Sequence, residues 1–179
     1  MFINILPCTH IDRYLYLELV SSQQQLIDMA PLKGKVETEI EIKAPAEKFY
    51  NIFKSRAHHV PNISPGSIQG VQVHEGDWKT HGSIKSWNYS VGDEVGVFKE
   101  KVEYNDENKS ITLNGVEGDV FKYFKSFKPV YQFTQKDEGS IATLSIAYEK
   151  LNDNVAAPDK YVGLMVNIVK DLDAHFIKA

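Results

Sequence analysis

The chain has 179 residues, 42% of them hydrophobic and 25% charged, with a formal net charge of −4. That composition suits one ordinary globular domain with a sizeable core. The acidic balance argues against general binding to nucleic acid or acidic membranes, the lone cysteine, Cys8, excludes an internal disulfide or thiolate cluster, and no apolar run reaches a membrane span.

Residues 1–28 differ in character from the rest of the chain. The apolar start Met1–Leu6 has no basic segment before it and no small-residue cleavage site after it, and Asp12, Arg13 and Glu18 would interrupt a signal core. Met29-Ala30 reads as an initiator followed by a small residue. The expectation is an N-terminal extension over 1–28, disordered or a frayed helix, which is dispensable to a single domain over 29–179.

From Lys33 to Lys43 the sequence alternates, with Val36, Ile40 and Ile42 on one side and Lys35, Glu37, Glu39 and Glu41 on the other. That is a half-buried strand. Ala44-Pro45-Ala46-Glu47 opens a short helix with Phe49, Ile52 and Phe53 on one face, and a further short turn is expected near 57–60 before Pro61, Pro65 and Gly66. The period of two then returns, predicting strands over 67–74, 82–91, 94–105, 109–117, 120–135 and 140–151. Their short connections carry turn residues, as antiparallel hairpins require. Pro129 cannot donate to a ladder, so a bulge or unpaired stretch is expected there.

Pro158–Lys178 closes the chain as a long amphipathic helix. Tyr161, Leu164, Met165, Ile168, Val169, Leu172 and Phe176 share one face of it. Such a stripe after a strand-rich body has to bury against the sheet. The inward strand faces carry many large aromatics: Trp87, Tyr89, Phe98, Tyr104, Tyr131, Phe133 and Tyr148. On this pattern alone a solid core with tyrosine hydroxyls at its rim is the default reading. Buried Tyr and Trp need polar partners, however, which also suits a pocket wall.

Several segments in order carry a family resemblance: Lys33-Gly34-Lys35-Val36-Glu37-Thr38-Glu39, Ala46-Glu47-Lys48-Phe49-Tyr50, Glu75-Gly76-Asp77-Trp78, His81-Gly82-Ser83-Ile84-Lys85 with Trp87-Asn88-Tyr89, and Gly115-Val116-Glu117-Gly118-Asp119. Over Met29–Ala179 the sequence resembles the major latex protein branch of the birch-pollen-allergen, or class-10 pathogenesis-related, superfamily. The resemblance implies an α+β helix-grip fold, in which a seven-stranded curved antiparallel sheet wraps the long helix around a large apolar cavity, with two short helices between strands 1 and 2. It also implies binding of small hydrophobic or amphipathic molecules in plant defence and stress responses. The cavity wall is then expected from Trp87, Tyr89, Phe98, Val102, Tyr104, Leu113, Tyr131, Phe133 and Tyr148 on the strands, and from Tyr161, Met165, Ile168 and Leu172 on the helix. Gly76 and Gly82 would shape the loop beside it.

That loop is similar to the family's glycine-rich loop, but it keeps two glycines and leads into a strand, so nucleotide binding is rejected. Glu117 matches a carboxylate to which ribonuclease activity has been attributed in some relatives. The proposed partners fall near Lys170 and Leu172, which cannot share acid–base work with it. His58 and His59, adjacent in sequence, should diverge and not share a metal. The sequence thus points to a cytoplasmic, monomeric, non-enzymatic carrier with a small apolar ligand and without cofactor, metal, nucleic-acid or membrane partner. The alternatives are a cavity enzyme of secondary metabolism, isomerase or condensing in type, and a hormone-receptor-like interaction protein. No buried lysine–carboxylate pair is evident on the inward faces, which counts against the enzyme.

Overall fold

The structure, a computed structural model, describes residues 32–178, so the expectations for 1–28 lie outside the described residues. β1 (Lys33–Ile42) pairs antiparallel with β7 (Ser140–Lys150), from Lys33 opposite Glu149 to Ile42 opposite Ser140. Between them in sequence come β2 (Ile68–Glu75), β3 (Ile84–Val91), β4 (Glu94–Asn105), β5 (Ser110–Gly118) and β6 (Phe124–Gln135). The seven strands form one antiparallel sheet in the order β1-β7-β6-β5-β4-β3-β2. The single crossover, from β1 at one edge to β2 at the other, is made by α1 (Ala46–Ser55), a 3₁₀ turn (Ala57–His59) and the short α2 (Val60–Ile63). The long helix α3 (Asp159–Phe176) follows β7. This is the expected helix-grip arrangement.

The period-two pattern works because one sheet face is buried. On β4, Phe98, Glu100 and Val102 are buried while Lys99, Lys101 and Glu103 are not. The predicted strand 120–135 begins later than expected, at Phe124, because Asp119–Lys122 forms a 3₁₀ turn. Gly118 ends β5 at φ 132°, a conformation costly for any residue with a Cβ. Asp119 holds the turn by accepting from the Val97 amide at 2.8 Å and from Lys122 at 2.6 Å. Pro129 behaves as expected. Its register with Ile146 of β7 is continuous, but pairing with β5 stops at Val130.

α1 drives Phe49, Tyr50, Ile52 and Phe53 into the core. Phe49 stacks on Phe133 at 5.2 Å and meets Phe176 edge-on at 5.1 Å. The end of α3 is tied to the start of the crossover by Asp173, which accepts from the amides of Lys43 and Ala44 at 2.9–3.1 Å. Pro158 is the N-cap residue of α3, so the helix begins at Asp159, one residue later than the pattern suggested.

Candidate functional site

Between α3 and the sheet lies a cavity. Its wall is built from Tyr161, Leu164, Met165 and Ile168 of α3, Trp87 and Tyr89 of β3, Phe98 of β4, Leu113 of β5, Phe127, Pro129 and Tyr131 of β6 and Ile146 of β7. Phe53, Val60, Ile68 and Val120 complete it. Counted as space open to the centre of a water molecule it measures about 70 Å³, several times the roughly 10–15 Å³ that one water needs. That is smaller than the large cavity the resemblance implies.

Geometry fixes these rings. Tyr89 meets Tyr161 edge-on at 5.9 Å, and Phe127 meets Tyr161 at 5.3 Å. Gly96, opposite Tyr89 in the ladder, makes room for that ring, since a Cβ there would stand 2.6 Å from the phenol oxygen. Burial pushes the Tyr89 and Tyr131 hydroxyls far above the ordinary phenol range, so both remain neutral donors.

Eight of the thirteen wall residues expected from the sequence line this cavity: Trp87, Tyr89, Phe98, Leu113, Tyr131, Tyr161, Met165 and Ile168. The structure places the other five elsewhere. Phe133 and Leu172 are packed at the α1 end of the core, with Phe133 stacked on Phe49 and Leu172 fully buried. Val102 and Tyr104 face inward on β4 beyond Glu100, off the cavity lining. Tyr148 lies half-buried against Phe124 near the β1–β7 end, where Gly34 makes room for its ring. The shared feature is position along the strand. Alternation gives the face that a residue points to, not how far along that face the cavity runs.

Gly76 and Gly82 take positive φ, 76° and 83°, and the loop between them is held by Asp77, which accepts from the amides of Lys79 and Thr80 at 2.7 Å each. None of its residues lines the cavity. The loop instead covers Lys85, whose ammonium donates to the carbonyl of Trp78 at 3.0 Å and to the hydroxyl of Tyr104 at 2.8 Å.

Lys85 is the main surprise. It is 1% exposed, and opposite it in the β3–β4 register stands Glu100, at 0%. Burial lowers the lysine pKa and pushes the Glu100 carboxyl up to about 8, with the Trp87 indole and the Lys85 charge opposing that rise. A buried lysine–carboxylate pair is therefore present, contrary to the sequence reading. The signal was legible. Lys85 is in phase with Trp87 and Tyr89, and Glu100 with Phe98 and Val102, so the alternation that buries the aromatics also buries the charges.

The remaining candidates are accounted for. Glu117 is exposed and pairs with Lys99 at 3.5 Å on the outer face. Lys170 is exposed and Leu172 buried on α3. His58 and His59 do not diverge as expected. In the tight 3₁₀ turn their rings lie 4.2 Å apart, and His58 packs on Trp78 at 5.0 Å. Among the described residues no group of three or more His, Cys, Asp or Glu is gathered as a metal would require, and no helix is long and apolar enough to cross a membrane.

Comparison with known proteins agrees with this architecture. Residues 31–179 match the Pathogenesis-related protein Bet v 1 family. MLP-like protein 31 of Arabidopsis thaliana is 42% identical over 153 residues, covering 84% of this chain and 90% of that protein. The crystal structure of ginseng major latex-like protein 151 from Panax ginseng superposes with a TM-score of 0.79 at 38% identity, over 81% of this chain and 98% of that one. A norcoclaurine synthase from Thalictrum flavum, at 15% identity and a TM-score of 0.65 over 84% of this chain and 98% of that one, shares the fold alone. With its seven-stranded antiparallel sheet, its long closing helix and relatives among the major latex proteins, the chain belongs to the Bet v 1 family.

Proposed function

We propose that this protein is a carrier for a small hydrophobic or amphipathic molecule held between α3 and the sheet, acting in plant defence or stress responses. Proteins of this family bind small hydrophobic ligands. The observation that carries the reading here is the cavity itself, whose wall is almost wholly apolar and made of side chains from α1, α3 and six of the strands. Removing a ligand's apolar surface from water would contribute about 25 cal/mol per Å². Rigid rings such as Trp87, Tyr89 and Tyr161 supply shape at little cost in side-chain entropy. Met165 sits on this wall from the middle of α3. Replacing it with tryptophan fills ligand space, so Met165→Trp is expected to keep the fold and to abolish most binding of an apolar fluorescent probe. Loss of about 1–3 kcal/mol of stability from overpacking, with no probe bound even by the parent protein, would contradict the carrier reading.

A second reading, a cavity enzyme of isomerase or condensing type, draws on the buried Lys85 opposite Glu100. Shifted titrations of this kind occur at catalytic centres. Against it, neither residue is part of the cavity lining, and the Lys85 ammonium is already engaged by Trp78 and Tyr104. Turnover of any carbonyl substrate that disappears in Lys85→Met while ligand affinity survives would favour the enzyme.

A further inference from the structure

A second hollow lies on the outside of the molecule, where the crossover meets the C-terminal end of α3. Its floor is apolar, formed by Ile52 of α1, Ile63 of α2 and Phe176 of α3, and its rim is polar, formed by Arg56, His59, Asn62 and His175. None of these residues lines the cavity. Counted as space open to the centre of a water molecule, the hollow measures about 370 Å³. Its rim concentrates positive charge. Arg56 is the only arginine among the described residues, and the fold brings it beside two histidines that are remote from each other in sequence. Every ion pair among the described residues uses a lysine, and none engages Arg56, His59 or His175. The two acids in the last turns of α3 are occupied elsewhere. Asp171 accepts from the Ser64 hydroxyl at 2.5 Å, and Asp173 from the amides of Lys43 and Ala44. The helices end here with carbonyls, which by themselves would repel an anion, but these too are engaged. The Ile52 carbonyl accepts from the Arg56 amide, those of Asp173 and His175 from the amides of Ile177 and Lys178, and that of Phe176 from Lys48. His58, beside the hollow, feels the resulting field. Burial lowers its imidazole pKa first, the His59 and Arg56 charges lower it further, and no carboxylate opposes them.

The chemistry of the rim selects an anion. A guanidinium is always charged and presents its donors in a fork that matches a carboxylate or a phosphate. Imidazole N–H groups and the Asn62 amide can donate to the remaining oxygens. A metal cation would meet the guanidinium with like charge, and among the described residues no carboxylate joins the two imidazoles as a ligand. The floor selects a second feature. A bare inorganic anion would leave Ile63 and Phe176 wet, while a neutral alkyl chain would leave Arg56 unpaired. We propose that the hollow at Arg56, His59 and His175 is a second ligand site, which takes the oxyanion of an amphipathic molecule, a phosphate or carboxylate carried on an apolar chain or ring. Arg56 grips two of its oxygens, His59, His175 and Asn62 donate around them, and the apolar part lies on Phe176 and Ile63. The occupant is a free molecule and not an acidic membrane surface, because the site is recessed between helices and the chain carries a formal net charge of −4. The site does not depend on the cavity receiving a ligand.

Hexyl phosphate tests the site, with inorganic phosphate and hexan-1-ol as its two halves. Titration of the full chain at pH 7 is expected to move and saturate the imidazole resonances of His59 and His175, assigned by their loss in His59→Gln and His175→Gln. Hexyl phosphate should bind about tenfold tighter than inorganic phosphate, and hexan-1-ol should leave both resonances unmoved. Arg56→Gln should weaken hexyl phosphate about tenfold while binding of an apolar fluorescent probe in the cavity persists. Arg56, His59 and His175 are all exposed, so these variants should fold as the parent does. Met165→Trp should do the reverse, losing the apolar probe and keeping hexyl phosphate. Phosphatidylcholine vesicles doped with phosphatidic acid should not sediment the protein. Unmoved imidazole resonances, equal affinity for inorganic phosphate, undiminished binding in Arg56→Gln, loss of hexyl phosphate in Met165→Trp, or capture by the vesicles without binding of free hexyl phosphate overturns the site. The carrier reading stands or falls separately, on the apolar probe in the parent protein.

Discussion

The two halves of α3 present similar apolar stripes to the same sheet and meet different surroundings. From Val169 onward the stripe is locked. Leu172 and Val169 are fully buried, Phe176 packs on Phe49, Lys48 donates to the Phe176 carbonyl at 3.1 Å, and Asp173 receives the amides just after β1. From Tyr161 to Ile168 the stripe forms one wall of the cavity, faced by Trp87, Phe98 and Leu113 across it. Nothing in the helix itself sets this difference. It comes from α1, which fills the space under the C-terminal half with Phe49 and Ile52 and reaches the other half only through Phe53. The crossover between the sheet edges thus decides where the interior is solid and where it stays open.

The largest effect expected from this contrast is at the locked end. Leu172→Ala should cost about 2–5 kcal/mol, since the close packing around it cannot collapse into the gap. For a domain of this size that is a fall of roughly 5–15 °C in melting temperature. Met165→Ala, which only enlarges space already open, should cost less than half as much. Equal losses for the two would erase the distinction between the halves.

Next in size is the pH dependence set by Glu100, which sharpens the contrast between the apolar cavity and the charged wall beside it. Its folded pKa is about 8, raised from 4.5. Below about pH 4.5 both folded and unfolded chains hold the proton and no penalty arises. As pH rises towards 8 only the unfolded chain releases it, so stability falls, and the full penalty applies above 8. Its size is on the order of a few kcal/mol. The neighbouring Lys85, with its pKa lowered by burial, works the other way at more alkaline pH, where stability recovers as its folded-state charge is given up early. Denaturant melts between pH 4.5 and 8.5 should therefore show a decline in the parent and a much flatter profile in Glu100→Gln. A parallel decline in both proteins would place the titration elsewhere.

The smallest effect belongs to the exposed end of α3. Lys160 pairs with Glu94 at 2.7 Å, linking α3 to the β3–β4 hairpin. Both side chains are well exposed, so Lys160→Ala should change stability by no more than about 0.5 kcal/mol. A larger loss, read by thermal melting, would show that this bridge holds the open half of the helix in place.

Most of the fold could be read from the sequence because much of one sheet face is buried, and alternation then marks the strands, most clearly in β1, β3 and the central part of β4. The helix face was equally legible, from Tyr161 through Leu172. Two kinds of information were not. Depth along a face has no local signature, which is why Phe133 and Leu172 belong to the locked end and not to the cavity. Burial of a charge runs against composition, although the phase of Lys85 and Glu100 within their strands states it. The 3₁₀ turn at Asp119–Lys122 escaped for a third reason: it depends on the Asp119 carboxylate reaching the amide of Val97, a contact 22 residues away in sequence.

The central claim, that the space under the N-terminal half of α3 receives an apolar ligand, is tested most directly at Met165. The chain contains three methionines, so ¹³C-methyl labelling gives a sparse spectrum in which loss of a peak in Met165→Leu identifies the reporter on the cavity wall. On titration with octan-1-ol, the Met165 methyl resonance should shift and saturate and show intermolecular NOEs to the alkyl chain. A Met165 resonance that stays fixed and shows no NOE, at alcohol concentrations that perturb residues elsewhere, would contradict the account.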